Sequence, residues 1–75
     1  MRVPQRAKKI LRVLTAEWQS GAEVAAAANV PINYTYSALD RLDELGYIEQ
    51  TFDTSMTFPR HLIRLTKDGM RNHAR

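Results

Sequence analysis

The sequence predicts a small α+β domain of three helices, a β-hairpin and a short C-terminal helix. Three observations carry that expectation. Leu39, Leu42 and Leu45 recur every three residues behind Tyr36, which gives the stretch 34–45 a single apolar helical face. Gly46 follows, where a left-handed helix stop costs least. From Tyr47 to Phe52 the chemistry changes to aromatic and β-branched residues beside polar ones, and HLIRL at 61–65 offers a second strand to pair with it.

Before that unit, Pro4 suits the first turn of a helix because its missing N–H is harmless there. Ala7, Ile10, Leu11, Leu14 and Trp18 then follow at helical spacings, so a first helix is expected to run to about Gln19, with Trp18 in the core. Ser20-Gly21-Ala22-Glu23 is a capping-box pattern opening a second helix. The run Val24 to Ala28 favours helix and close packing, and Asn29 with Pro31 ends it. Asn33 is the expected N-cap of the third helix.

In the hairpin, Ile48, Ile63 and Leu65 are expected to face the core, with Leu62 and Arg64 on the opposite face. Asp53, Thr54 and Ser55 have turn character, and Pro59 argues against a central strand at its position. Met56 and Phe58 fit an apolar tip, a minor core cluster or a dimer contact. Thr66 can cap a final helix that Asp68 suits by charge, and Gly69 implies close packing against a neighbour.

Seventy-five residues imply one domain, 1–75, with a small core. Without cysteine there is no disulfide and no thiolate metal site, a composition compatible with a reducing cytoplasm. No apolar run approaches the roughly 20 residues that span a bilayer, and the N-terminus lacks the apolar segment of a secretion signal. The formal charge of +3 is unevenly spread. Arg2, Arg6, Lys8, Lys9 and Arg12 stand in the first twelve residues without an acid, and residues 60–75 are again basic. Between them, Arg41 faces Glu17, Glu23, Asp40, Asp43, Glu44, Glu49 and Asp53. Basic ends brought onto one surface would favour nucleic acid; basic ends left apart are an ordinary solvated surface.

The second and third helices, joined by a short connection, form a helix-turn-helix candidate. Asn33, Tyr34, Thr35 and Ser37 can exchange hydrogen bonds with phosphates or base edges, and Arg41 can bind a guanine or a phosphate in bidentate fashion. Asp40, Asp43 and Glu44 oppose this wherever they turn toward the backbone. Asp40 is a candidate partner for Arg41. Arg60 and His61 can enter a minor groove or grip its phosphates. Arg6, Lys8, Lys9, Arg41, Arg60 and Arg64 would support DNA binding if they form a continuous rim.

With YSALDRLDELGYIEQ followed by LIRLTKDG, the order of elements resembles the winged helix-turn-helix domains of PadR and MarR transcriptional regulators, over roughly Lys8 to Arg71. By that resemblance, helix 33–45 is the recognition helix, placed in the major groove, and 53–60 is the wing, at the minor groove or backbone. Tyr36 and Leu39 would orient the helix, and Leu65 through Gly69 would join wing to final helix. The added helices by which such regulators dimerise have no counterpart here. The resemblance therefore implies a minimal sequence-specific binder of double-stranded DNA, repressor-like and cytoplasmic, of phage, plasmid or host. The oligomer is left open, with a homodimer or a cooperative assembly on DNA as the candidates. The alternative is a protein-interaction or architectural module, for example in a recombination complex, with Asp40 to Glu44 meeting a basic protein and Tyr34, Met56 and Phe58 as apolar anchors.

No enzyme is expected. His61 and His73 lack cysteine partners and an acidic metal motif, there is no glycine-rich phosphate loop, and Ser37 has no recognisable base. No cofactor, metal or membrane is implied.

Overall fold

A computed structural model describes residues 4–55 and 57–73 of the chain. Met56, weighed above for the hairpin tip, and Arg2 and Arg75, counted in the basic ends, lie outside the described residues. The order is α1 (Gln5–Val13), β1 (Gln19–Ser20), α2 (Gly21–Ala28), α3 (Ile32–Glu44), β2 (Ile48–Asp53), β3 (Arg60–Leu65) and α4 (Lys67–Asn72). The strands form an antiparallel sheet in the order β1-β3-β2.

α1 starts at Gln5, so Pro4 is its N-cap and not part of the first turn as expected, and the helix stops at Val13, a turn and a half short of Gln19. Leu14 is already extended, and its side chain still reaches the core. Two forces favour the early exit. Val13 and Thr15 are β-branched and weak helix formers, and the Thr15 carbonyl accepts the Leu65 N–H at 2.8 Å. The chain then lies along the sheet, where Gln19 and Ser20 pair with Ile63 and Leu62. Trp18 is thereby moved out of the core: it is 39% exposed, with the Arg64 guanidinium 4.4 Å above its ring.

The capping box is present in both halves. Ser20 Oγ accepts the Glu23 N–H at 3.1 Å, and Glu23 Oε1 accepts the Ser20 N–H at 3.2 Å. Asn29 ends α2 in the left-handed conformation, with φ of 56°. α3 begins two residues before Tyr34, on Pro31 rather than on an Asn33 side chain. A fixed proline φ replaces the side-chain cap.

The buried face of α3 is Thr35, Ala38, Leu39 and Leu42. Tyr36 is 43% exposed and Leu45 is half-buried, so the helix is rotated from the face that their apolarity suggested. Thr35 takes the inner position because its hydroxyl donates to the Pro31 carbonyl at 3.1 Å and lies 3.4 Å from that of Val30. A satisfied hydroxyl costs little to bury.

Ala7, Ile10, Leu11 and Leu14 meet Val24, Ala28, Leu39 and Leu42 in the helical half of the core. Ile48, Ile63 and Leu65 close it from the sheet, as the alternation predicts. Gly46 has φ of 76° and turns the chain from α3 into β2. Thr66 caps α4 by accepting the Gly69 N–H at 3.1 Å, and donates to the Gly46 carbonyl at 2.6 Å. A side chain at Gly69 would run into the Tyr47 carbonyl oxygen. The expected close packing is therefore between α4 and the start of β2.

Candidate nucleic-acid interface

Opposite its buried face, α3 exposes Asn33, Ser37, Asp40 and Glu44, at helical spacings of four, three and four. Tyr34 and Arg41 flank this strip on the side of α1. There the Arg6 guanidinium lies 3.9 Å from the centre of the Tyr34 ring, and Arg6, Ser37 and Arg41 share a cleft of about 170 Å³ with Pro4, Ala7 and Ala38. Arg41 pairs with Glu44 at 3.4 Å.

The other flank faces the hairpin. Phe52 and His61 are directly paired across β2 and β3. Their rings stack with centres 5.2 Å apart, and the Tyr36 ring also stacks with His61, at 5.6 Å. Beneath the stack, Gln50 Nε2 donates to Asp43 Oδ2 at 2.6 Å, and Gln50 Oε1 lies 2.7 Å from His61 Nε2. With its amide nitrogen committed to Asp43, Gln50 presents an acceptor. That places the His61 hydrogen on Nε2. Tyr36 also lies against α2: a side chain at Gly21 would come within 3.0 Å of its hydroxyl. One exposed tyrosine thus touches α2 and the hairpin together.

The hairpin cations are tied to acids. Arg60 meets Glu23 at 3.3 Å, and Arg64 meets Glu49 at 2.9 Å while covering Trp18. The Ser20 N–H, followed by the Ser20 hydroxyl, holds the Glu23 carboxyl below the usual glutamate range, and the Arg60 charge adds to this. At the start of the tip, the Ser55 hydroxyl and N–H donate to Asp53 Oδ1 at 2.6 and 3.0 Å. They hold that carboxyl low in the same way. From Thr54 to Pro59 the tip carries no charged residue, and Phe58 is 81% exposed.

No protein-family profile and no curated protein matches the chain. Solved structures do. ZitR of Lactococcus lactis, a zinc-responsive MarR family member, superposes with a TM-score of 0.82 at 22% identity, over 99% of this chain and 51% of that one. Bacillus subtilis PadR in complex with operator DNA gives 0.82 at 17% identity, over 97% and 46%. PcaV of Streptomyces coelicolor, in complex with its natural ligand, gives 0.83 at 25% identity, over 96% and 51%. The chain has the winged helix-turn-helix fold of MarR and PadR regulators. It spans about half the length of these structures.

In the winged helix, α2 and α3 are the helix-turn-helix pair and residues 54–59 the tip of the wing. Of the residues singled out in the sequence, the fold brings Arg6, Tyr34, Ser37 and Arg41 together and leaves Asn33 exposed one turn before Ser37. Lys8 and Lys9 are on α1. Arg60 and His61 stand at the wing base, Arg64 lies further from the tip, and Thr35 is inside. The six cations do not form one unbroken rim of unpaired charge, since Glu44, Glu23 and Glu49 sit on Arg41, Arg60 and Arg64. Sequence reasoning missed the stacked rings. Their signal was the period-two series Ile48, Gln50, Phe52, which shares one sheet face. Among the described residues no cluster of histidine and acids could hold a metal ion, and no helix is long and apolar enough to cross a membrane.

Proposed function

We propose that this winged helix binds double-stranded DNA in a sequence-specific way, as a small repressor-like transcription regulator. Asn33 and Ser37 read base edges from the N-terminal half of α3, Arg6 and Arg41 hold the backbone beside them, and the 53–60 wing lies at the minor groove or backbone. Lys8 and Lys9 add positive field, and Arg60, His61 and Arg64 anchor the wing. The observation that carries this reading is the exposed polar strip of α3 beside a cleft lined by two arginines. The operator complex of Bacillus subtilis PadR, which shares the fold, supports it. A homodimer, or several copies on adjacent sites, would raise an affinity that one small module keeps low. The protein would then act in the cytoplasm, at the nucleoid.

Selection of duplexes from a random pool, across a salt series, tests this. The expected result is a recurrent motif whose affinity falls steeply with salt. Asn33→Ala should then lose preference at one base position, by about 1–3 kcal/mol, while the protein stays folded. Paired half-sites in the motif would fix the dimer. Asp40, Asp43 and Glu44 on the same helix, together with exposed Phe52 and Phe58, favour the second reading, a protein-interaction or architectural module serving, for instance, a phage or plasmid recombination complex. Retention of DNA without a motif would move the assignment to an architectural role. No retention at low salt would move it to protein interaction.

A further inference from the structure

We propose that the cleft between α1 and α3 seats one deoxyribose-phosphate unit of the duplex backbone, with Arg6 and Arg41 converging on a single phosphate and Tyr34 positioning Arg6. This rests on the DNA-binding reading above and adds to it a defined site with a defined ligand. Ala7 and Ala38 are buried and form an apolar floor, while Arg6, Arg41 and the Ser37 hydroxyl stand at the more exposed rim. An apolar floor below a cationic rim suits a sugar face carrying an anion. Two guanidinium groups line one cleft of about 170 Å³, so an anion seated there is attracted to both.

The cations are also set in advance. The Arg6 guanidinium lies over the Tyr34 ring, 3.9 Å from its centre, so less freedom is lost when it binds. The pair of Arg41 with Glu44 is a solvent-exposed contact three residues along one helix, weak beside a charge-assisted contact to phosphate. The wider field favours the same side: α1 carries Arg6, Lys8, Lys9 and Arg12 with no acid, whereas Arg60 and Arg64 of the wing each meet a glutamate. The backbone footing of this module thus moves from the wing toward α1.

Salt dependence and backbone chemistry test the assignment on a duplex selected as above. Neutralising one phosphate changes the slope of log affinity against log salt by about 0.9, so two arginines on separate phosphates contribute about 1.8 together. The double variant Arg6→Ala/Arg41→Ala should flatten the slope by about 0.9. Replacement of single phosphates by neutral methylphosphonate should reveal one position that weakens the unaltered protein and leaves the double variant unaffected. Tyr34→Ala should weaken binding as Arg6→Ala does, and Tyr34→Phe, which keeps the ring, should restore it. An unchanged slope, a loss of about 1.8, or the absence of such a position in a protein that still selects its motif overturns the cleft and leaves the DNA reading standing. Failure of the unaltered protein to bind duplex overturns both.

Discussion

Two glycines with different physics bound the turn from α3 into the sheet and the start of α4. Gly46 has φ of 76° and nothing within 4 Å of the place a side chain would occupy. Gly46→Ala should cost only the left-handed backbone penalty, about 1–2 kcal/mol, and Gly46→Asn should recover part of it. Gly69 has an ordinary helical backbone, but an added carbon would strike the Tyr47 carbonyl oxygen and approach Leu65 Cδ2 at 3.0 Å. That carbonyl accepts the Thr66 N–H at 3.0 Å, so the clash falls on the joint between β2 and α4. Although alanine favours helix over glycine by about 1 kcal/mol, Gly69→Ala should destabilise more than Gly46→Ala, by roughly 3 kcal/mol. Urea unfolding of the two variants checks the order, and equal losses would sink the steric account. The sequence made both glycines legible as special but could not name Tyr47, a neighbour that only the fold supplies. At Thr35 and Tyr36 its guidance was out of phase. Apolarity put tyrosine inside, whereas the hydroxyl of Thr35 finds an acceptor one turn back and Tyr36 finds rings outside.

At the scale of elements, helices were legible where a local signal ended them, and illegible where a distant strand did. Asn29 and Gly46 punctuate α2 and α3 by themselves. α1 has no such mark, and Leu65, fifty residues away, captures the Thr15 carbonyl. The capping box nevertheless carried a clue, because an N-cap residue needs extended backbone, and Ser20 has ψ of 157°. The strand β1 is the approach to that cap. The box also makes stability depend on pH. Glu23 in the folded protein binds its proton less readily than in the unfolded chain. Its contribution is therefore complete above the usual glutamate range and is lost as pH falls through the lowered value. Glu23→Gln keeps an acceptor for the Ser20 N–H but cannot titrate. The stability gap between unaltered protein and Glu23→Gln should be widest near neutrality and close on acidification, measured by urea unfolding at several pH values. Asp53, held low by Ser55, has the same sign, so the variant keeps a residual acid dependence. Ser20→Ala should cost about 1 kcal/mol at neutral pH. A gap that stays constant with pH would remove the box as the titrating device.

In the whole molecule, α3 and the wing meet beyond the aliphatic core, through Tyr36, His61 and Phe52. The core ends at Ile63 and Ile48, and among the described residues the outer third of the hairpin has no buried aliphatic residue holding it to α3. His61 is the middle ring and the partner of Gln50, so its loss separates helix from wing while the core remains. His61→Ala should leave the fold intact, with a loss of about 1 kcal/mol. Amide exchange should quicken in the outer hairpin, around Phe52, Asp53, Arg60 and His61, and stay unchanged in α3. His61→Phe keeps the stack and gives up only the contact to Gln50, so it should retain most of the protection. Under the proposed reading, in which Asn33 and Ser37 read bases from α3, His61→Ala should weaken DNA affinity and preserve base preference. If the outer hairpin of His61→Ala exchanges no faster than that of the unaltered protein, the strands alone set the wing, and the stacked rings are a covering without a positioning role.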